Sequence, residues 1–323
     1  MNYFSERDKR VAEKRRIRKT ANGIGAAFLL GTAVSTVLQI MLLILGYGEF
    51  LKSNVGMWIF QILLSTIMFT VSFIVFTPVM NTRVSVCCSY KKPENGTALP
   101  VILCGLGVCM LSNILGGMAS SFFEMFGITD SADTLSSTLT NDWYSYAISF
   151  LGGAALPALV EEFALRGIVL GALKKFGNTF AIIMSSAMFG IMHGTVSQIP
   201  FAFVMGLYLG FATVRTGSIW TSVAIHFLNN LFAFFLDIFS QQLSSRASLV
   251  LNGLYFMLMM TLGFVGIIAA KGANIFSLNE IEQSENTETL KLSQKVGAFF
   301  SSPVIIVYLV IIFLEIALMQ AVK

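Results

Sequence analysis

Nine apolar stretches of about 20 residues each, the length that carries a helix across the hydrocarbon core of a bilayer, dominate this chain of 323 residues. They run over Ala21–Leu45, Met57–Met80, Ala98–Phe126, Trp143–Leu173, Thr179–Val196, Ile199–Val214, Ile219–Phe239, Ser248–Ala270 and Pro303–Val322. In lipid a backbone must close its own hydrogen bonds, which leaves helices or closed barrels. Barrel strands alternate apolar and polar residues, and these runs do not. The expected fold is therefore all-α, a polytopic transmembrane helical bundle of about nine spans. Composition agrees: 55% of residues are hydrophobic and 12% are charged, where a soluble domain carries about a quarter. Mean hydropathy is +0.77. The sixth run is the shortest and follows the fifth after almost no loop, so these two are expected to form a partial hairpin.

Positive charge orients such a bundle. With the N-terminus cytoplasmic, 17 Lys and Arg fall inside and only Lys52, Arg246 and Lys323 outside. The acidic loop with Asp130, Asp133 and Asp142 then falls outside. The expected organisation is a basic N-terminal segment (1–20), three helices (21–142), a core of helices that carry the chemistry (143–240), an eighth helix (241–270), a polar cytoplasmic linker (271–302) and a last span (303–323). The basic start reads as a topology signal, or as a patch for anionic headgroups. The first run is too long for a signal-peptide core, so no cleavage is expected. The linker carries Glu280, Glu282, Glu285 and Glu288. Cys87, Cys88, Cys104 and Cys109 have neither disulfide-framework nor zinc-finger spacing.

An ionisable residue at mid-membrane costs about 2.5–3.5 kcal/mol on insertion scales and is kept when it is paired or when it works. The two histidines of the chain, His193 and His226, both fall in predicted spans. So do Glu161, Glu162 and Arg166. On a helix Glu162 and Arg166 are i and i+4 and meet as a structural ion pair. Glu161 is turned by about 100° and lacks that partner. Phe189 and His193 share a face, so the ring can wall the site, and Gly190 with Gly194 is expected to admit a neighbouring backbone. His226 and Asn230 also share a face. Glu315 in the last span has no evident partner. At about 1.5 Å per residue, Glu161, His193 and His226 can converge in the middle or inner half of the bilayer.

A glutamate near two histidines can activate water in two ways. A zinc ion with Glu161, His193 and His226 as candidate ligands would keep an open position for water. Without metal, Glu161 would act as general base, His193 would orient the water, and His226 and Asn230 would donate to the developing oxyanion. The cofactor is thus none or zinc. Soluble zinc-protease motifs, the Gly-x-Ser-x-Gly elbow and phosphate-binding glycine loops are all missing from the sequence. Dispersed cations argue against nucleic acid.

Together, Glu161-Glu162-x-x-x-Arg166, Phe189-x-x-x-His193 and His226-x-x-x-Asn230 resemble the signature of the CPBP intramembrane peptidases. That group, also called the Abi family, takes in type II CAAX prenyl endopeptidases and bacteriocin-processing or immunity proteins. The resemblance spans about 70 residues. It implies proteolysis in the membrane, with Glu161 activating water, His193 as its partner, and His226 with Asn230 as the oxyanion site. It also implies that Glu162 and Arg166 hold the architecture. The expected function is an intramembrane endopeptidase, metal-dependent or not, in a multi-pass protein of a bacterial plasma membrane. Its partners would be membrane lipids and a small-peptide or lipidated-protein substrate, with prenylation left open. Two alternatives stand beside it: a non-catalytic immunity or peptide-secretion partner, and a proton-coupled transporter.

Overall fold

A computed structural model describes residues 5–129, 142–272 and 289–321, apart from the side chain of Asn54. Asp130, Asp133, Glu280, Glu282, Glu285, Glu288 and Lys323, which the sequence reading assigns to loops or the terminus, lie outside the described residues. The described residues are helical and hold no strand.

Among the described residues eight helices are long and apolar enough to cross a membrane. In chain order, with a shorter helix and a polar one included, they are α1 (Glu6–Ile44), α2 (Val55–Phe76), α3 (Ala98–Glu124), α4 (Trp143–Phe176), α5 (Asn178–Ile191), α6 (Gln198–Thr216), α7 (Ile219–Gln242), α8 (Ser245–Gly272), α9 (Leu292–Phe300) and α10 (Pro303–Ala321). Each apolar run of the sequence holds a helix, although the fifth leaves its helix at Ile191. The short member of the fifth and sixth pair is, however, α5 and not α6. With 14 residues, α5 rises about 21 Å, less than the hydrocarbon core.

Local signals set the helix ends. Ser5 and Asp8 form a capping box at the start of α1. Ser218 accepts from Trp220 N at the start of α7. Gly217, at φ 63°, ends α6 in the left-handed conformation that glycine adopts without a Cβ clash. Gly194, at φ 65°, does the same after α5, and a Cβ there would meet nothing within 4 Å. Its role is therefore to make the turn, not to admit a neighbouring helix. Gly190 does admit one: a Cβ at that position would stand 2.8 Å from the Ile199 carbonyl oxygen. This brings α5 and α6 together as a tight hairpin.

Elsewhere too, small residues let backbones touch, which in lipid replaces the hydrophobic drive for helix association. Gly107 of α3 faces Gly263 of α8, where an added Cβ would come within 2.8 Å of the opposite Cα. At the other side of the bundle Phe28 of α1 stacks on Tyr308 of α10, ring centroids 4.9 Å apart. The basic start of the chain is continuous with the first span and packs through Ile17 and Ala21. Glu13 Oε2 accepts from the Thr289 amide and hydroxyl. The end of the expected polar linker is α9, with Phe299 fully buried and Lys295 Nζ donating to the Phe176 carbonyl. These contacts join the N-terminal helix, α9 and the end of α4 at one face of the bundle.

Candidate active site

The carboxylate pair sits on α4, which is not a uniform helix. Regular α turns over Leu156–Glu162 lie between two π-helical stretches, Leu151–Ala155 and Phe163–Val169. Such i→i+5 turns recur at functional positions because the extra residue re-aims the side chains beyond it. Pro157, which has no N–H to give, falls at the first junction. Glu161 and Glu162 thus occupy the end of a short α-helical segment between two π-helical ones.

Arg166 Nη1 donates to Glu162 Oε1 at 3.1 Å, and both side chains have no exposure. The guanidinium continues to α6, where Nη2 donates to the Gly206 carbonyl at 3.2 Å. It lies over the Phe189 ring of α5, Cζ 4.3 Å from the centroid, a cation–π contact strengthened by exclusion of water. One arginine therefore ties α4 to α5 and α6. Glu162 Oε1 has a second partner, His226 Nδ1 of α7, at 3.0 Å. The expected ion pair is a triad that also fixes an imidazole. A carboxylate accepts, so the proton of that contact sits on Nδ1 and leaves Nε2 for other chemistry.

His226 Nε2 faces Glu161 Oε2 at 4.0 Å. Glu161 keeps 14% side-chain exposure whereas Glu162 has none. His193 is not inside a helix: it lies two residues past the end of α5, in the turn made by Gly194. Its Nδ1 donates to the Phe189 carbonyl at 2.7 Å. A carbonyl can only accept, so Nε2 of His193 carries the lone pair. Phe189 stands edge-on to both imidazoles, 4.9 Å from His193 and 5.8 Å from His226. Asn230 lies one turn beyond His226, with Oδ1 accepting from Asn229 Nδ2 at 3.3 Å.

A cavity of about 950 Å³ reaches His193 and Asn229. Its lining includes neither glutamate nor His226, so it meets the cluster on the His193 side. Asn229, buried beside Asn230, was missed in the sequence reading. A second amide in mid-span was the available signal. Among the described residues no group of three His, Cys, Asp or Glu side chains is arranged to hold a metal. Nδ1 of each imidazole has an oxygen partner, which leaves Nε2 of His193 and of His226 as the nitrogen each would offer to a metal or a water.

Residues 143–232 match the family model described as type II CAAX prenyl endopeptidase Rce1-like. Over 171 residues the chain is 24% identical to a Bacillus subtilis (strain 168) protein named "Putative membrane peptidase YdiL". That alignment takes in 51% of this chain and 69% of the relative. No solved structure matches. The Rce1-like match covers all three motifs, on the helices and turn that build the buried cluster, and together with the likeness to the Bacillus protein it supports an intramembrane peptidase of the CPBP type.

Proposed function

We propose that this protein hydrolyses a peptide bond with a water held between Glu161 and His226. The observation that supports this best is the 4.0 Å gap between Glu161 Oε2 and His226 Nε2. It is too long for a direct hydrogen bond, yet one water about 2.8 Å from each atom bridges it. The exposure of Glu161 gives that water a way in, and Glu162, held by Arg166, is the lesser candidate for base.

The Glu161 carboxylate removes a proton from the water as its oxygen attacks the carbonyl carbon. His193 Nε2, with its lone pair, accepts from the same water and orients it. The tetrahedral oxyanion receives hydrogen bonds from the Asn230 amide and from Nε2–H of His226 in its cationic form, whose Nδ1–H stays on Glu162. Each such donor typically lowers the barrier by about 3–4 kcal/mol. On collapse the C–N bond breaks and the proton on Glu161 passes to the leaving nitrogen, giving a new carboxylate and a new amine. Each step uses protein groups and water alone. Glu162, Arg166 and Phe189 hold the imidazole and the helices in place. The charge bias of the loops supports a cytoplasmic N-terminus in a bacterial plasma membrane, and the substrate is a membrane-associated peptide or lipidated protein tail.

The test is mass spectrometry of peptides, prenylated and plain, incubated with the purified protein in lipid nanodiscs. A single cut per peptide is expected, at a rate unchanged after treatment with a zinc chelator. Peptides that bind and are never cut would replace hydrolysis with a partner role. Activity lost on chelation and restored by zinc would move Glu161, His193 and His226 into a metal shell.

A further inference from the structure

The cavity that reaches His193 carries chemistry that the hydrolytic steps leave unused. Amide side chains line it from four helices: Asn113 of α3, Gln198 of α6, Asn229 of α7 and Asn252 of α8. A smaller recess at Leu243 and Ser245 shares Ser240, Ser248 and Asn252 with it, so the cavity continues toward the turn between α7 and α8. Among the described residues that line it, Asp237 alone is charged. Asp237 Oδ2 accepts from Gln241 Nε2 at 3.0 Å on its own helix. Among the described residues no Lys or Arg pairs with it.

Two features point to one occupant. Amides both donate and accept, which matches the alternating N–H and C=O groups of a peptide backbone and gives nothing to a hydrocarbon chain. A carboxylate without a cation, on the wall of a cavity in a membrane bundle, favours a positive group on whatever enters. Asn229, next to the catalytic end, and Asp237 are eight residues apart on α7. That is about 12 Å along the axis, the length of about three to four residues of extended chain.

We propose that this cavity seats an extended segment of the substrate polypeptide, with a lysine or arginine against Asp237 about three to four residues from the peptide bond held at His193. The register rests on the hydrolytic reading of the His193 site, whereas the charge preference can be measured without turnover. The test uses fluorescent peptides of one neutral sequence with Lys, Ala or Glu at a single scanned position. They are titrated onto the full-length Glu161→Gln protein in nanodiscs and followed by anisotropy. The best-placed Lys peptide is expected to bind about three- to fivefold more tightly than its Ala counterpart, the range of a partly exposed ion pair. Asp237→Asn should erase that advantage without changing the Ala peptide, and Asp237→Lys should transfer it to the Glu peptide. With Glu161 intact, the cut should fall about three to four residues from the Lys and move with it. Equal binding of Lys and Ala peptides, or a Lys preference that survives Asp237→Asn, would overturn the assignment. A Lys preference that depends on Asp237, in a protein that cuts nothing, would sink the hydrolytic reading and leave the Asp237 site standing.

Discussion

Glu161→Gln is expected to give a folded protein whose peptide cleavage is slower by about 10²–10⁴, the contribution of a positioned general base. Glutamine keeps the shape of the side chain and can still touch a water, so packing against α7 survives. What it cannot do is take the proton. The paired measurement is the initial rate on a quenched peptide and the thermal melt in the same detergent. A lost rate with an unshifted melt is the expected result. A rate within threefold of wild type would mean that another group activates the water. Glu162 would then be the one to examine, despite its complete burial and its contacts with Arg166 and His226.

Arg166→Ala should act in the opposite way, on the fold first. The guanidinium is buried among Glu162, the Gly206 carbonyl and the Phe189 ring. Removing it leaves the Glu162 carboxylate buried beside a void, and breaking one partner of a buried pair costs about 3–5 kcal/mol. Folded yield on size exclusion and the melting temperature should both fall sharply. Replacing both partners, Glu162→Gln with Arg166→Met, removes the two charges together and should recover most of the yield. Activity should not return with it, because His226 Nδ1 then loses the carboxylate that orients the ring. A double variant as unstable as Arg166→Ala would show that the Gly206 and Phe189 contacts, and not the charges, carry the stability.

Sequence periodicity and hydropathy locate features that depend on near neighbours. Each apolar run holds a helix, and Glu162 meets Arg166 as the i, i+4 rule requires. Less legible was the end of α5. Met192 and Val196 extend the apolar run past Ile191, but Gly194 takes a left-handed conformation and turns the chain, so His193 sits in a loop. The contact between Glu162 and His226 bridges 64 residues of sequence and follows from helix packing, which no local pattern encodes. Its consequence is that Glu162 orients an imidazole as well as neutralising Arg166. The π-helical turns beside the glutamates have no mark in composition. Asn113, Asn229 and Asn252 stand within apolar runs, and Gln198 stands between two of them. Only the tertiary arrangement shows that they face one cavity. The polar stretch before the last span read as a linker because its end, α9, is short and amphipathic, and its buried face appears only against Phe176 and α1.

An experimental density map that resolves ordered solvent at the Glu161 and His226 pair examines the central claim at its source. The account predicts a water within hydrogen-bonding distance of both Glu161 Oε2 and His226 Nε2, with a path of solvent to the His193 cavity. A Glu161 side chain turned away from His226, or the two atoms closed on each other with no water beside them, would contradict it.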